Sequence, residues 1–156
     1  MAQLKDVIAY FCAHYPHKDE LSKSRLTKLI YLADWKAAID HNEQITDINW
    51  IFNHYGPYVE DIARLAQNDA DFNVARGINE YGNPKSMISL KNEDLTISLD
   101  DKDQAILDYV INSTKRLYWN DFIKLVYSTY PVLTGQRGKR LDLIEAARRY
   151  SANKAA

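Results

Sequence analysis

The apolar positions of the first segment, Leu4, Val7, Ile8, Phe11, Cys12 and Tyr15, recur at helical spacing. They predict a helix with one buried stripe, ended by Pro16. A second, longer helix is expected from Ser22, a good N-cap, to about His41. Its main stripe is Leu26, Leu29, Ile30, Ala33 and Ala37, and Leu32, Trp35 and Ile39 lie nearly opposite, with Lys28 on the Trp35 side. A helix apolar on two faces is the element that others pack around. Residues 48–54 then alternate, with Ile48, Trp50, Phe52 and His54 on one side of a short strand. After it, Gly56-Pro57 predicts a third helix with Pro57 at its first position, where no N–H is needed. Glu60 and Asp61 would meet the positive end of its dipole, and Val59, Ile62, Leu65 and Ala66 form its buried stripe.

Residues 72–99 read as extended, with a turn at Tyr81-Gly82-Asn83-Pro84, hence a hairpin. Helical spacing returns at Ile106, Leu107, Val110 and Ile111, where Asp101 and Gln104 resemble a capping box. Asn120 is expected to cap the next helix, with Phe122, Ile123, Val126 and Tyr127 inward, and Pro131 to stop it. A last helix turns Leu141, Ile144 and Ala147 inward. The pattern predicts a mainly α (α+β) fold: a single compact helical domain over residues 1–156, with five or six helices and a small β-hairpin or sheet element.

Composition supports that picture. A chain of 156 residues, 46 % hydrophobic and 26 % charged, is one globular domain able to bury a core of its own. No stretch approaches a membrane span, and Met1-Ala2-Gln3-Leu4-Lys5-Asp6 lacks the apolar block of a secretory signal, so a cytoplasmic protein is expected. The lone Cys12 fits a reducing compartment. The net charge of −1 hides a distribution. Residues 60–103 hold ten acids and five bases, net −5, whereas residues 137–154 hold six bases and two acids, net +4. These are either two solvated surfaces or patches complementary to a protein partner. Tyr outnumbers Phe by 11 to 4, with 3 Trp besides.

Catalytic signatures are sparse. There is no Gly-rich phosphate loop, His-Glu-x-x-His helix or Gly-x-Ser-x-Gly elbow. Cys12 and His14 point about 200° apart on a helix and cannot form a nucleophile–base pair. His14, His17, His41 and His54 would form a metal site only if distant segments met, so no metal and no cofactor are expected. The carboxylate pairs Glu60/Asp61 and Glu93/Asp94 diverge as sequence neighbours and read as caps and solvated faces. The bases of Arg137, Lys139, Arg140, Arg148 and Arg149 make a weak patch, and nucleic-acid binding is not expected.

Two stretches carry more information together than any single motif. Leu26-Thr27-Lys28-Leu29-Ile30-Tyr31-Leu32-Ala33-Asp34 is followed about twenty residues later by Trp50-Ile51-Phe52-Asn53-His54-Tyr55-Gly56-Pro57-Tyr58-Val59. They resemble the Panacea, or SocA-like antitoxin, domain, whose pattern is L-x-K-L-[LI]-Y-[LF]-A and then an apolar stretch ending in G-P-[VY]. Ile106–Val110, Asn120–Tyr127 and Tyr130-Pro131 resemble its second half, so the likeness spans roughly residues 4–150. Val132-Leu133-Thr134 stands where the family often carries a Trp.

The resemblance implies a non-enzymatic antitoxin that neutralises a cognate protein toxin encoded nearby, as in bacterial or phage toxin–antitoxin systems. An alternative is a proteolytic adaptor delivering the toxin to a host protease; a second is a small hydrolase using His54 with Asp34 or Glu60. Self-association is left open. The residues matching the signature, for toxin binding or for support, are Lys28, Tyr31, Asp34, Trp35, His54, Tyr55, Gly56, Pro57 and Tyr58. Lys28, Tyr31 and Asp34 are spaced to form one polar ridge beside Trp35, either bracing the Gly-Pro turn or contacting the toxin.

Overall fold

The structure, a computed structural model, describes residues 1–155. Among them are seven helices and two small antiparallel hairpins, a mainly helical domain. The helices are α1 (Leu4–His14), α2 (Lys23–His41), α3 (Asp61–Asn68), α4 (Asp101–Thr114), α5 (Trp119–Tyr127), α6 (Tyr130–Thr134) and α7 (Leu143–Ala155). The hairpins are β1 (Ile51–Asn53) with β2 (Gly56–Tyr58), and β3 (Phe72–Ile78) with β4 (Pro84–Leu90). No helix among the described residues is long and apolar enough to cross a membrane.

The two-faced helix is the centre of the molecule. Ser22 caps α2 by accepting from the Arg25 N–H at 3.0 Å, and Asn42 ends it in the left-handed conformation. Thirteen of its nineteen residues are buried, because α1, α3, α4, α7, β2 and β4 all pack against it. The hairpin in residues 72–99 forms with a narrower reach, 72–78 pairing with 84–90. Its turn is tied by Asn79, whose Oδ1 accepts from the N–H of Tyr81 and of Asn83 at 2.9 Å each.

Several expected boundaries move. Pro57 does not start a helix: it lies in β2, and α3 begins at Asp61. The strand expected over 48–54 is regular only at 51–53; Ile48, Trp50 and Phe52 are buried as the alternation implies, but His54 is exposed. Asp100, one residue early, caps α4 through the Asp103 N–H at 2.7 Å. Helix α5 starts before Asn120, at Trp119, with Tyr118 at its cap position. Pro131 does not stop α5, which ends at Tyr127; it sits in the first turn of α6, where the missing N–H costs nothing. Leu141 is buried but precedes α7, whose entry is tied by Asp142 accepting from the Glu145 N–H at 3.0 Å.

Candidate functional site

The signature residues meet at the first hairpin. Asn53 pairs with Gly56, leaving His54 and Tyr55 as a two-residue tip. Among the described residues the only non-glycine with positive φ is Asn42, so the tip residues keep negative φ and Gly56 takes the positive one, 97°. A Cβ at Gly56 would stand 3.3 Å from the Tyr127 hydroxyl, so the turn lies directly on α5. The Asn53 side chain fixes the tip by accepting from the Tyr55 N–H at 2.9 Å.

Pro57 lies opposite Phe52 and has no N–H to offer across the hairpin. None is needed, because backbone groups at this pair point out of the hairpin: the Phe52 N–H reaches the Lys139 carbonyl at 2.9 Å, and its carbonyl accepts from Gly138. The Leu141 N–H donates to the Trp50 carbonyl at 2.8 Å. The basic loop after α6 thus seals the far edge of β1 and brings the exposed Arg137, Lys139 and Arg140 beside the hairpin.

Behind the hairpin the polar ridge of α2 is internal. Lys28 is 1 % exposed, and Tyr31 and Asp34 are fully buried. Asp34 Oδ1 accepts from the N–H of Ile45 and of Thr46, at 3.0 Å each. Its Oδ2 accepts from the Thr46 hydroxyl at 2.6 Å, the Trp50 indole at 2.8 Å and the Gln44 amide at 3.3 Å. One carboxylate therefore shapes the chain from residue 44 to residue 50 that delivers β1. Burial pushes its pKa up to about 6 against the pull of those bonds.

Tyr31 meets Trp50 edge-on, ring centroids 5.6 Å apart, and its hydroxyl pairs with Thr129 Oγ1 at 2.7 Å. Burial raises the pKa of that phenol. Lys28 Nζ donates to Ser24 Oγ at 3.2 Å and pairs with no carboxylate among the described residues; burial lowers its pKa to about 8. Trp35, also buried, packs edge-on against Tyr150 at 5.7 Å.

Above this frame the surface is aromatic. Tyr55 is 71 % exposed, and its ring is edge-on to His54 at 4.9 Å. Tyr58 is half-buried, with its hydroxyl donated to Glu60 and Lys23 over its ring. The signature therefore divides: Lys28, Tyr31, Asp34, Trp35, Gly56 and Pro57 lie inside, whereas His54, Tyr55 and part of Tyr58 face outward.

His54 forms no side-chain hydrogen bond with Asp34 or Glu60, whose carboxylates are taken by the partners above. The Cys12 thiol is buried and its pKa is pushed up to about 12 by that burial, which suppresses the thiolate. A grouping of His17, Asp19 and Glu20 lies at the surface, where Glu20 already pairs with Arg25 at 3.2 Å.

Sequence reading missed Arg25. It is 2 % exposed, lies 4.4 Å over the Phe122 ring, and donates to the Tyr15 hydroxyl at 2.9 Å and the Leu117 carbonyl at 2.8 Å. With a further bond to the Thr114 carbonyl at 3.3 Å, one guanidinium on α2 thereby ties the residue after α1, the end of α4, the α4–α5 connection and α5. Its position four residues before Leu29, on an inward stripe, was the available signal. Tyr81 is exposed in the turn where the sequence places it, and Tyr118, which the sequence does not single out, is exposed ahead of α5; neither has a core to enter.

No curated protein and no solved structure matches the chain. A family model does, over residues 26–131, a stretch that runs from the buried ridge of α2 through both hairpins to Pro131. With well over half of its length matched, including the hairpin and the residues that brace it, the chain belongs to the family described as Antitoxin SocA-like, Panacea domain.

Proposed function

We propose that this chain is an antitoxin that neutralises a cognate protein toxin encoded nearby by binding it directly, in the cytoplasm and without catalysis. Family membership supports the toxin–antitoxin association. The observation that carries direct binding is Tyr55. This large aromatic is 71 % exposed at a hairpin tip whose conformation is set from below by Asp34, Trp50 and Tyr127. A rigidly presented Tyr loses little entropy on binding and is a preferred interface anchor. Arg137, Lys139 and Arg140 beside it favour an acidic partner surface.

The test is co-expression with the adjacent gene. The wild-type chain is expected to restore growth and to co-purify with that gene's product; failure of both refutes the antitoxin reading. Tyr55→Ala is expected to lose rescue with an unchanged thermal midpoint, since the ring supports nothing beneath it. Full rescue by Tyr55→Ala moves the contact away from the hairpin. A toxin half-life that shortens only in the presence of a host protease reassigns the chain as an adaptor.

A further inference from the structure

A cleft of about 430 Å³ opens between α2, α4, the α5–α6 junction and α7. Its walls carry four aromatic side chains, Trp35, Tyr109, Tyr130 and Tyr150. The Tyr150 ring meets both Trp35 and Tyr130 edge-on, at 5.7 Å each, which fixes one wall. Tyr109, on the opposite side, is 54 % exposed. Two ammonium groups complete the lining: Lys36 lies 4.4 Å from the Tyr109 ring centroid and Lys154 lies 5.1 Å from that of Tyr150. Among the described residues no Asp or Glu lines the cleft. Lys36 does pair with Asp40 at 3.2 Å, one turn along α2, but both side chains are about one-third exposed and such a contact exchanges readily.

We infer that this cleft receives a segment of the partner toxin bearing a large apolar or aromatic side chain with a carboxylate beside it. The inference rests on the antitoxin reading and adds the chemistry of the partner. The volume lies within the roughly 300–1,000 Å³ of ligand-binding clefts, and an aromatic-walled hole of this kind is where interface anchors insert. The two lysines and the absence of acids in the lining call for negative charge on the occupant.

Position supports the same partner. Tyr127 touches the Gly56 turn, while Ser128, Thr129 and Tyr130 line the cleft. Hairpin tip and cleft thus flank one short junction, and a single protein can cover both. Tyr150 and Lys154 come from α7, beyond the matched residues 26–131, so the cleft joins family residues to a helix outside the match.

The test uses the full-length chain and the purified product of the adjacent gene, with affinity read by calorimetry. Ser113→Trp places an indole into the cleft from an exposed position, and Lys154→Glu reverses an exposed charge. Each is expected to weaken binding by about tenfold or more, with the Lys154→Glu deficit shrinking as salt is raised. Far-UV circular dichroism checks that Ser113→Trp is folded; Lys154→Glu carries the test if it is not. Wild-type binding with Lys154→Glu and folded Ser113→Trp at wild-type affinity overturns the cleft and leaves the antitoxin reading standing. No wild-type binding overturns both.

Discussion

Asp34 is the residue whose removal the structure prices most directly. Asp34→Ala strands four donors that have no other acceptor: the N–H groups of Ile45 and Thr46, the Thr46 hydroxyl and the Trp50 indole. At about 1–3 kcal/mol for each buried unsatisfied group, the loss is roughly 4–12 kcal/mol. Removing the buried charge returns part of this. A pKa of about 6 against the ordinary 3.8 makes the ionised native carboxylate unfavourable by about 3 kcal/mol at pH 7. The net expectation is a loss of about 5 kcal/mol, a large share of the roughly 5–15 kcal/mol by which a domain is stable. Asp34→Asn keeps an acceptor for the two backbone groups and sheds the charge, though its amide opposes the indole; it should stay near wild type at pH 7.

The pH dependence separates charge from hydrogen bonding. The native pKa lies above the unfolded one, so between about pH 4 and 6 the native state holds more protons. Wild-type stability relative to Asp34→Asn therefore rises as pH falls from 7 to 4, by about 2 kcal/mol, and declines as pH climbs back through 6. Urea unfolding followed by tryptophan fluorescence, at pH 4, 5.5 and 7, measures all three proteins. Equal stability of the Ala and Asn variants at pH 7, or a wild-type–Asn difference that does not change with pH, would refute this account of Asp34.

Three further outcomes follow from the same frame. Lys28→Met should stabilise the fold by about 1–3 kcal/mol at pH 7, because the native ammonium is buried without a counter-charge. Its pKa of about 8 lies below the unfolded value, so wild type should recover stability as pH rises from 8 to 10.5 while the variant should not; urea titrations at pH 7 and 10 read this. Tyr31→Phe loses the Thr129 bond and about 1 kcal/mol, whereas Tyr31→Ala empties a fully buried site and should lose about 3–5 kcal/mol by thermal unfolding. Gly56→Ala, forced into φ 97° against the Tyr127 hydroxyl, should lose about 1–2 kcal/mol in the same assay, and wild-type stability there would mean that the turn relaxes at no cost.

Helices α1 and α2, the Ser22 cap and the second hairpin were legible because each is written in local spacing and capping chemistry, and a side chain's face follows from the helical or strand period alone. The same local logic misplaced Pro57. A Pro after Gly suits a helix start, but Pro57 instead pairs with Phe52 where the backbone groups point out of the hairpin, so its missing N–H costs no cross-strand bond, and residues 138–141 hold β1 from its far edge. The expected ridge of Lys28, Tyr31 and Asp34 likewise formed, yet spacing cannot say whether a ridge is covered. Its burial required the 44–50 loop, the Trp50 ring and Thr129, groups up to 98 residues distant in sequence. Arg25 and the aromatic cleft belong to the same class: each exists only where several helices converge. The sequence by itself determined most of the elements, their inward stripes and the family; the tertiary structure decided the first hairpin, which polar residues hold the core and which aromatics are left to meet a partner, because burial is a property of what packs against a face and not of the face alone.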